Sequence, residues 1–100
     1  MMTCLTLVIP TDLEEEVVDH LLEHPEWVPG FTTFMVSGHG QGVVYRNSAE
    51  AVRGRVGRVM VQIVTEGEKA EALLDHLKAS FPHPEISWWM SPVSGQGSLA

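Results

Sequence analysis

Twice along this chain the spacing of apolar residues switches from two to between three and four, each time after a short β-branched run. Thr3 to Ile9 is the first such run, ended by Pro10. Leu13, Val17 and Leu21, with Val18 and Leu22, then recur at helical spacing. Thr11 or Asp12 offers an N-cap, and Glu14, Glu15 and Glu16 place negative charge in a first turn, where it complements the helix dipole. His24-Pro25 ends that helix, because the residue before a proline is pushed away from helical geometry. After a turn at Pro29-Gly30, Phe31 to Ser37 alternates as a strand. Arg58 to Thr65 is the clearest strand, with Val59, Val61 and Ile63 on one face. Glu66 to Ser80 reads as a second amphipathic helix through Ala70, Leu73, Leu74 and Leu77, with Phe81 following. Beyond the turn at Pro82 and Pro84, Ile86 to Met90 is the last strand.

This order, β-α-β-β-α-β, is the ferredoxin-like arrangement, an α+β sandwich in which two helices cover one face of a four-stranded antiparallel sheet. A chain of 100 residues makes one domain. Residues 1–92 form it, and the Gly-rich tail 93–100 is expected to be mobile. If Val59, Val61 and Ile63 face the helices, then Met60, Gln62 and Val64 face away, as do alternate residues of the other strands. That second face is semi-apolar rather than charged, unlike a sheet face turned to water. A patch of this kind marks association, so a homo-oligomer is expected. Trp88 and Trp89 must then split, one indole towards the helices and one towards the open face.

The connection between the second and third strands, residues 38–57, is far longer than joining two antiparallel strands requires. It begins Gly38-His-Gly-Gln-Gly and carries Tyr45-Arg46 and Glu50. Arg46, Arg53, Arg55 and Arg58 supply four of the six basic side chains, set against 13 acidic ones and a formal charge of −7. The overall charge argues against a general nucleic-acid binder, which needs a basic face. The local cluster points to a small anionic ligand or an acidic partner surface. The lone Cys4 excludes an intramolecular disulfide framework. No signal peptide is visible, and no apolar run approaches the ~20 residues of a membrane helix. These readings lead to a soluble, cytoplasmic protein without direct membrane insertion.

Five histidines raise the question of metal. Glu16, His20 and His24 follow one another at intervals of four, a spacing that can chelate a divalent ion from one helix face. The same stripe without an ion is a solvated face opposite Leu13, Val17 and Leu21. His39, between glycines, could take a metal or hydrogen-bond an anion. His76 and His83 read as surface groups near the end of the second helix. No nucleophilic triad or paired carboxylates can be assembled, so no catalytic residue is assigned.

The segment Phe31-Thr-Thr-Phe-Met-Val-Ser-Gly-His-Gly-Gln41 resembles the second strand and the T-loop entry of PII-type signalling proteins. Tyr45-Arg46-Asn-Ser-Ala49-Glu50 is similar to a stretch inside that loop, and Arg58-Val-Met-Val-Gln-Ile-Val64 to the basic-led third strand. Within the PII-like superfamily the chain most resembles a small group found beside heavy-metal efflux systems. The resemblance implies a homotrimer with sheets facing inward, ligand clefts between subunits and a loop that docks on a target. Gly38, His39, Gly40, Gln41 and Arg58 would then line the ligand site. Tyr45, Arg46, Glu50, Arg53 and Arg55 would touch the partner, a membrane transporter or efflux-system protein. The connection Phe81-Pro-His-Pro-Glu85 holds neither glycine nor lysine, where PII proteins cradle nucleotide phosphates, which argues against a nucleotide. The reading is a non-enzymatic regulatory sensor of a small ligand or divalent metal ion. The alternatives are a metal-binding protein resembling CutA-type tolerance proteins, and a small dimeric ferredoxin-like enzyme with His39 as base.

Overall fold

The computed structural model describes residues 1–40 and 56–100. Its elements are β1 (Met2–Pro10), a 3₁₀ turn (Thr11–Leu13), α1 (Glu14–Leu22), β2 (Thr32–Gly38), β3 (Val56–Glu66), α2 (Gly67–Ser80) and β4 (Ser87–Pro92). Among the described residues the strands pair antiparallel, in the order β2-β3-β1-β4. This is the expected ferredoxin-like sandwich.

Register explains the two faces of the sheet. Leu5, Leu7 and Ile9 of β1 stand opposite Ile63, Val61 and Val59 of β3, and all six are buried beneath the helices. Val17 and Leu21 from α1 and Ala70, Leu73, Leu74 and Leu77 from α2 complete that core. On the other face Met60 lies opposite Val8 and Phe34, and Phe34 keeps 42% of its surface exposed. Trp88 pairs with Leu7 on the helix side, and Trp89 pairs with Thr6 on the open side. The two indoles divide as alternation requires.

Several boundaries differ from the sequence reading, three of them for an identifiable physical reason. The first helix starts with a 3₁₀ turn after Pro10, and neither the turn nor α1 has a side-chain cap bond, so the expected Thr11 or Asp12 cap is not formed at the helix start. The acidic first turn, Glu14 to Glu16, is left to complement the dipole. The last strand runs on to Pro92, because Ser91 and Pro92 pair with Cys4 and Thr3, and Thr3 Oγ1 donates to the Ser91 carbonyl at 2.9 Å. Proline is tolerated there because β4 is an edge strand. The third strand begins at Val56, paired with Gly38, two residues before Arg58. Gly40 has φ +139°, a conformation that only glycine adopts without strain, so the chain leaves β2 by a turn written into the sequence.

Candidate metal centre

Each of three histidines follows a core residue by three positions: His20 after Val17, His24 after Leu21, and His76 after Leu73. That offset puts His20 and His76 on the flanks of their helices' buried stripes, with His24 just past the end of α1 beside them. Because α1 and α2 lie on the same side of the sheet, the three imidazoles meet. The ring centroids are 5.0 Å apart for His20 and His24, 4.8 Å for His20 and His76, and 4.5 Å for His24 and His76. One ligand nitrogen from each ring lies within 4.8 Å of the others. Nitrogens sharing a tetrahedral zinc at 2.0–2.1 Å stand ~3.3 Å apart, a distance that small ring rotations would reach.

Aromatic rings and one carboxylate surround the three imidazoles. Phe81 sets its edge against His20 at 5.1 Å. Trp27 stacks on His24 at 5.0 Å and stands 5.4 Å from His76. His20 Nε2 is buried and makes no hydrogen bond among the described residues. A buried polar atom without a partner is costly, and an ion would complete it. His24 Nδ1 lies 3.1 Å from Glu26 Oε2. With the proton on Nδ1, donated to that carboxylate, the lone pair remains on Nε2; a carboxylate behind an imidazole is the usual outer support of a histidine ligand. The same bond is the main reason the Glu26 carboxyl is held below its ordinary range.

Burial pushes the pKa of His20 down, and the charges of His76 and then His24 push the same way, against a small opposing effect of Glu23. The unfolded chain therefore takes up a proton at His20 more readily than the folded one does. The sign follows: this contribution to stability is fully present above 6.5, the ordinary value, and is lost as pH falls below it. Metal-free protein is expected to melt at progressively lower temperature as pH drops below 6.5. His20→Phe should flatten that slope in circular-dichroism melts, and an unchanged slope would remove His20 as its cause.

The structure redistributes the residues singled out from the sequence. His20 and His24 come together as the helical spacing predicts, but Glu16 does not join them. It is exposed and outside the cluster. Glu16 and His24 are eight residues apart, ~12 Å along a helix axis, too far to share one ion. His76, read from the sequence as a surface group, takes the third place. The signal available was its position three residues after Leu73, matching the offset of the other two. Gly38 closes the β2–β3 ladder, while His39 and Gly40 are exposed beyond it and apart from the cluster. Arg58 is buried, with 7% exposure, and its Nη2 meets Glu85 Oε2 at 3.5 Å. It thereby ties β3 to the connection before β4. Gln41, Tyr45, Arg46, Glu50, Arg53 and Arg55 lie outside the described residues.

Residues 1–100 match the family model described as "Protein of unknown function (DUF3240)". No curated protein matches the chain. Among solved structures, a DUF3240 family protein from Shewanella baltica is similar with a TM-score of 0.77 and 22% identity, over 99% of this chain and 97% of that one. The periplasmic divalent cation tolerance protein CutA from Archaeoglobus fulgidus is similar with a TM-score of 0.71 and 15% identity, over 99% and 89%. A putative PII-like signaling protein from Thermus thermophilus gives 0.61 and 20%, over 90% and 84%. At these identities the likeness is one of fold, and the fold is that of the CutA and PII-like proteins. No helix among the described residues is long and apolar enough to cross a membrane.

Proposed function

The chain belongs to the DUF3240 family, and from that premise and the imidazoles gathered between its helices we propose that it is a PII-like regulatory protein that binds a divalent transition-metal ion. His20, His24 and His76 hold the ion, one per chain, with Glu26 orienting His24. The observation that carries the reading is the buried Nε2 of His20, without a partner among the described residues, amid two further imidazoles. Three nitrogen donors with no thiolate suit Zn²⁺, Ni²⁺ or Cu²⁺, whereas Ca²⁺ and Mg²⁺ take oxygen ligands. That a protein of the same fold is described as a divalent cation tolerance protein supports the reading.

The assembly is a homotrimer whose open sheet faces meet, which the exposed apolar side chains Phe34 and Trp89 support. The ion's presence passes to a transport or metal-efflux partner through the β2–β3 connection, with Tyr45, Arg46, Glu50, Arg53 and Arg55 making the contact. Calorimetric titration of metal-free protein with Zn²⁺ should saturate at one ion per chain and release protons, increasingly so as pH falls towards the imidazole range. Absence of saturable binding would refute the reading. A CutA-like role, in which ion binding is itself the function, draws on the same three histidines. Zn²⁺-dependent change in proteolysis between Gly40 and Val56 would favour signalling, and unchanged cleavage would favour the CutA-like role.

A further inference from the structure

Beneath the connection from α2 to β4 lies a cavity of about 470 Å³, within the size range of small-molecule sites. Its floor is core: Leu7, Leu74 and Leu77. Phe81 and Trp88 wall it, and Trp88 keeps 44% of its surface exposed although its register turns it towards the helix side. Among the described residues, the ionisable side chains in the lining are Lys78 and His83, and no carboxylate joins them. In a chain with 13 acidic and 6 basic side chains that is a marked local inversion of charge.

Both polar groups are arranged to give hydrogen bonds. Lys78 Nζ stands 5.2 Å from the centroid of the Trp88 ring, on the aromatic wall itself. The backbone N–H of Glu85 donates to His83 Nδ1 at 3.1 Å, which fixes the ring proton on Nε2 and makes that nitrogen a donor. A carboxylate of the same turn could oppose an anion, but Glu85 is engaged by Arg58. The cavity thus joins an apolar, aromatic-walled interior to one ammonium and one N–H donor.

We propose that this cavity is a binding site for a small aromatic monoanion, a carboxylate or sulfonate. The ring packs between Phe81, Trp88 and the leucine floor, and the anionic group meets Lys78 and His83. A nucleotide triphosphate does not fit this chemistry. It needs several converging backbone N–H groups, and Pro82 and Pro84 remove two from the connection that would supply them. The proposal is independent of the histidine centre, although Phe81 borders both.

The probe is 1-anilinonaphthalene-8-sulfonate, titrated into the full, metal-free chain and followed by its fluorescence. Saturable binding at one dye per chain is expected, displaced by 1-naphthoate and not by uncharged 1-naphthylmethanol. Lys78→Gln, on the exposed side of α2, should weaken it about 10-fold or more, the worth of one charge-assisted hydrogen bond. Ile86→Trp, which fills the cavity from its edge, should abolish it with the far-ultraviolet spectrum unchanged. Leu74→Trp repeats the test from the floor. The dye could instead bind apolar surface elsewhere, which persistence of the one-dye site in both filled variants would reveal. Retention in both filled variants, displacement by the neutral alcohol, or no binding because a second copy covers the cavity would each overturn the proposal.

Discussion

Alanine in place of His76 is expected to lower the affinity for Zn²⁺ by on the order of 100-fold or more, since losing an outer-shell partner alone typically costs 10–100-fold. The reason is geometric. His20, on α1, and His24, two residues past its end, would leave an ion with two nitrogens, whereas His76 would reach it from α2 and close the set. Glu26→Gln should fall within the 10–100-fold range, because it loosens His24 without removing a ligand. Glu16→Ala should change nothing, since that carboxylate is exposed and outside the cluster. Competition against a chromophoric chelator reads all three. If Glu16→Ala weakened binding as much as His76→Ala, the ion would be sitting on the outer face of α1.

Lysine in place of Met60 is expected to convert the proposed homotrimer into folded monomers. Met60 lies at the middle of the open face, level with Val8 on one side and Phe34 on the other. Its side chain takes no part in the helix-side core, which is built from Val59, Val61 and Ile63 of the same strand. A charge there leaves the single chain intact. In an assembly whose sheet faces meet, it would be buried without a partner and repeated in every copy, and unpaired buried charge is among the costliest changes a protein suffers. Sedimentation equilibrium should give three chains for the native protein and one for the variant, with matching far-ultraviolet spectra. A native protein that is already monomeric would contradict the trimer and leave the histidine centre, which lies within one chain, to stand on its own.

The fold was legible because its signals are local. Alternation in β1 and β3, and the Val17–Leu21 and Leu73–Leu77 stripes, each name an element and its buried face from a few consecutive residues. What escaped was decided at a distance. Ser91-Pro92 has turn chemistry, yet pairing with Thr3 and Cys4 holds it in β4, tertiary contact overriding propensity. His20 and His24 could be paired from helical spacing alone. His76 was harder to place, because its meeting with them depends on how two helices settle side by side, and its offset from Leu73 marks only which flank of α2 it occupies. Arg58 shows the converse. Read with the arginines of the long connection as a ligand contact, it is buried and bound to Glu85. The partner-contact residues from Tyr45 to Arg55 lie outside the described part of the chain and remain part of the proposal.

The most direct test is X-ray absorption at the zinc edge on protein loaded with one Zn²⁺ per chain. It should show three imidazole nitrogens at about 2.0–2.1 Å, with the outer-ring scattering characteristic of histidine, completed by one light atom. A spectrum of oxygen ligands without imidazole scattering would place the ion on the acidic surface and dissolve the centre between the helices.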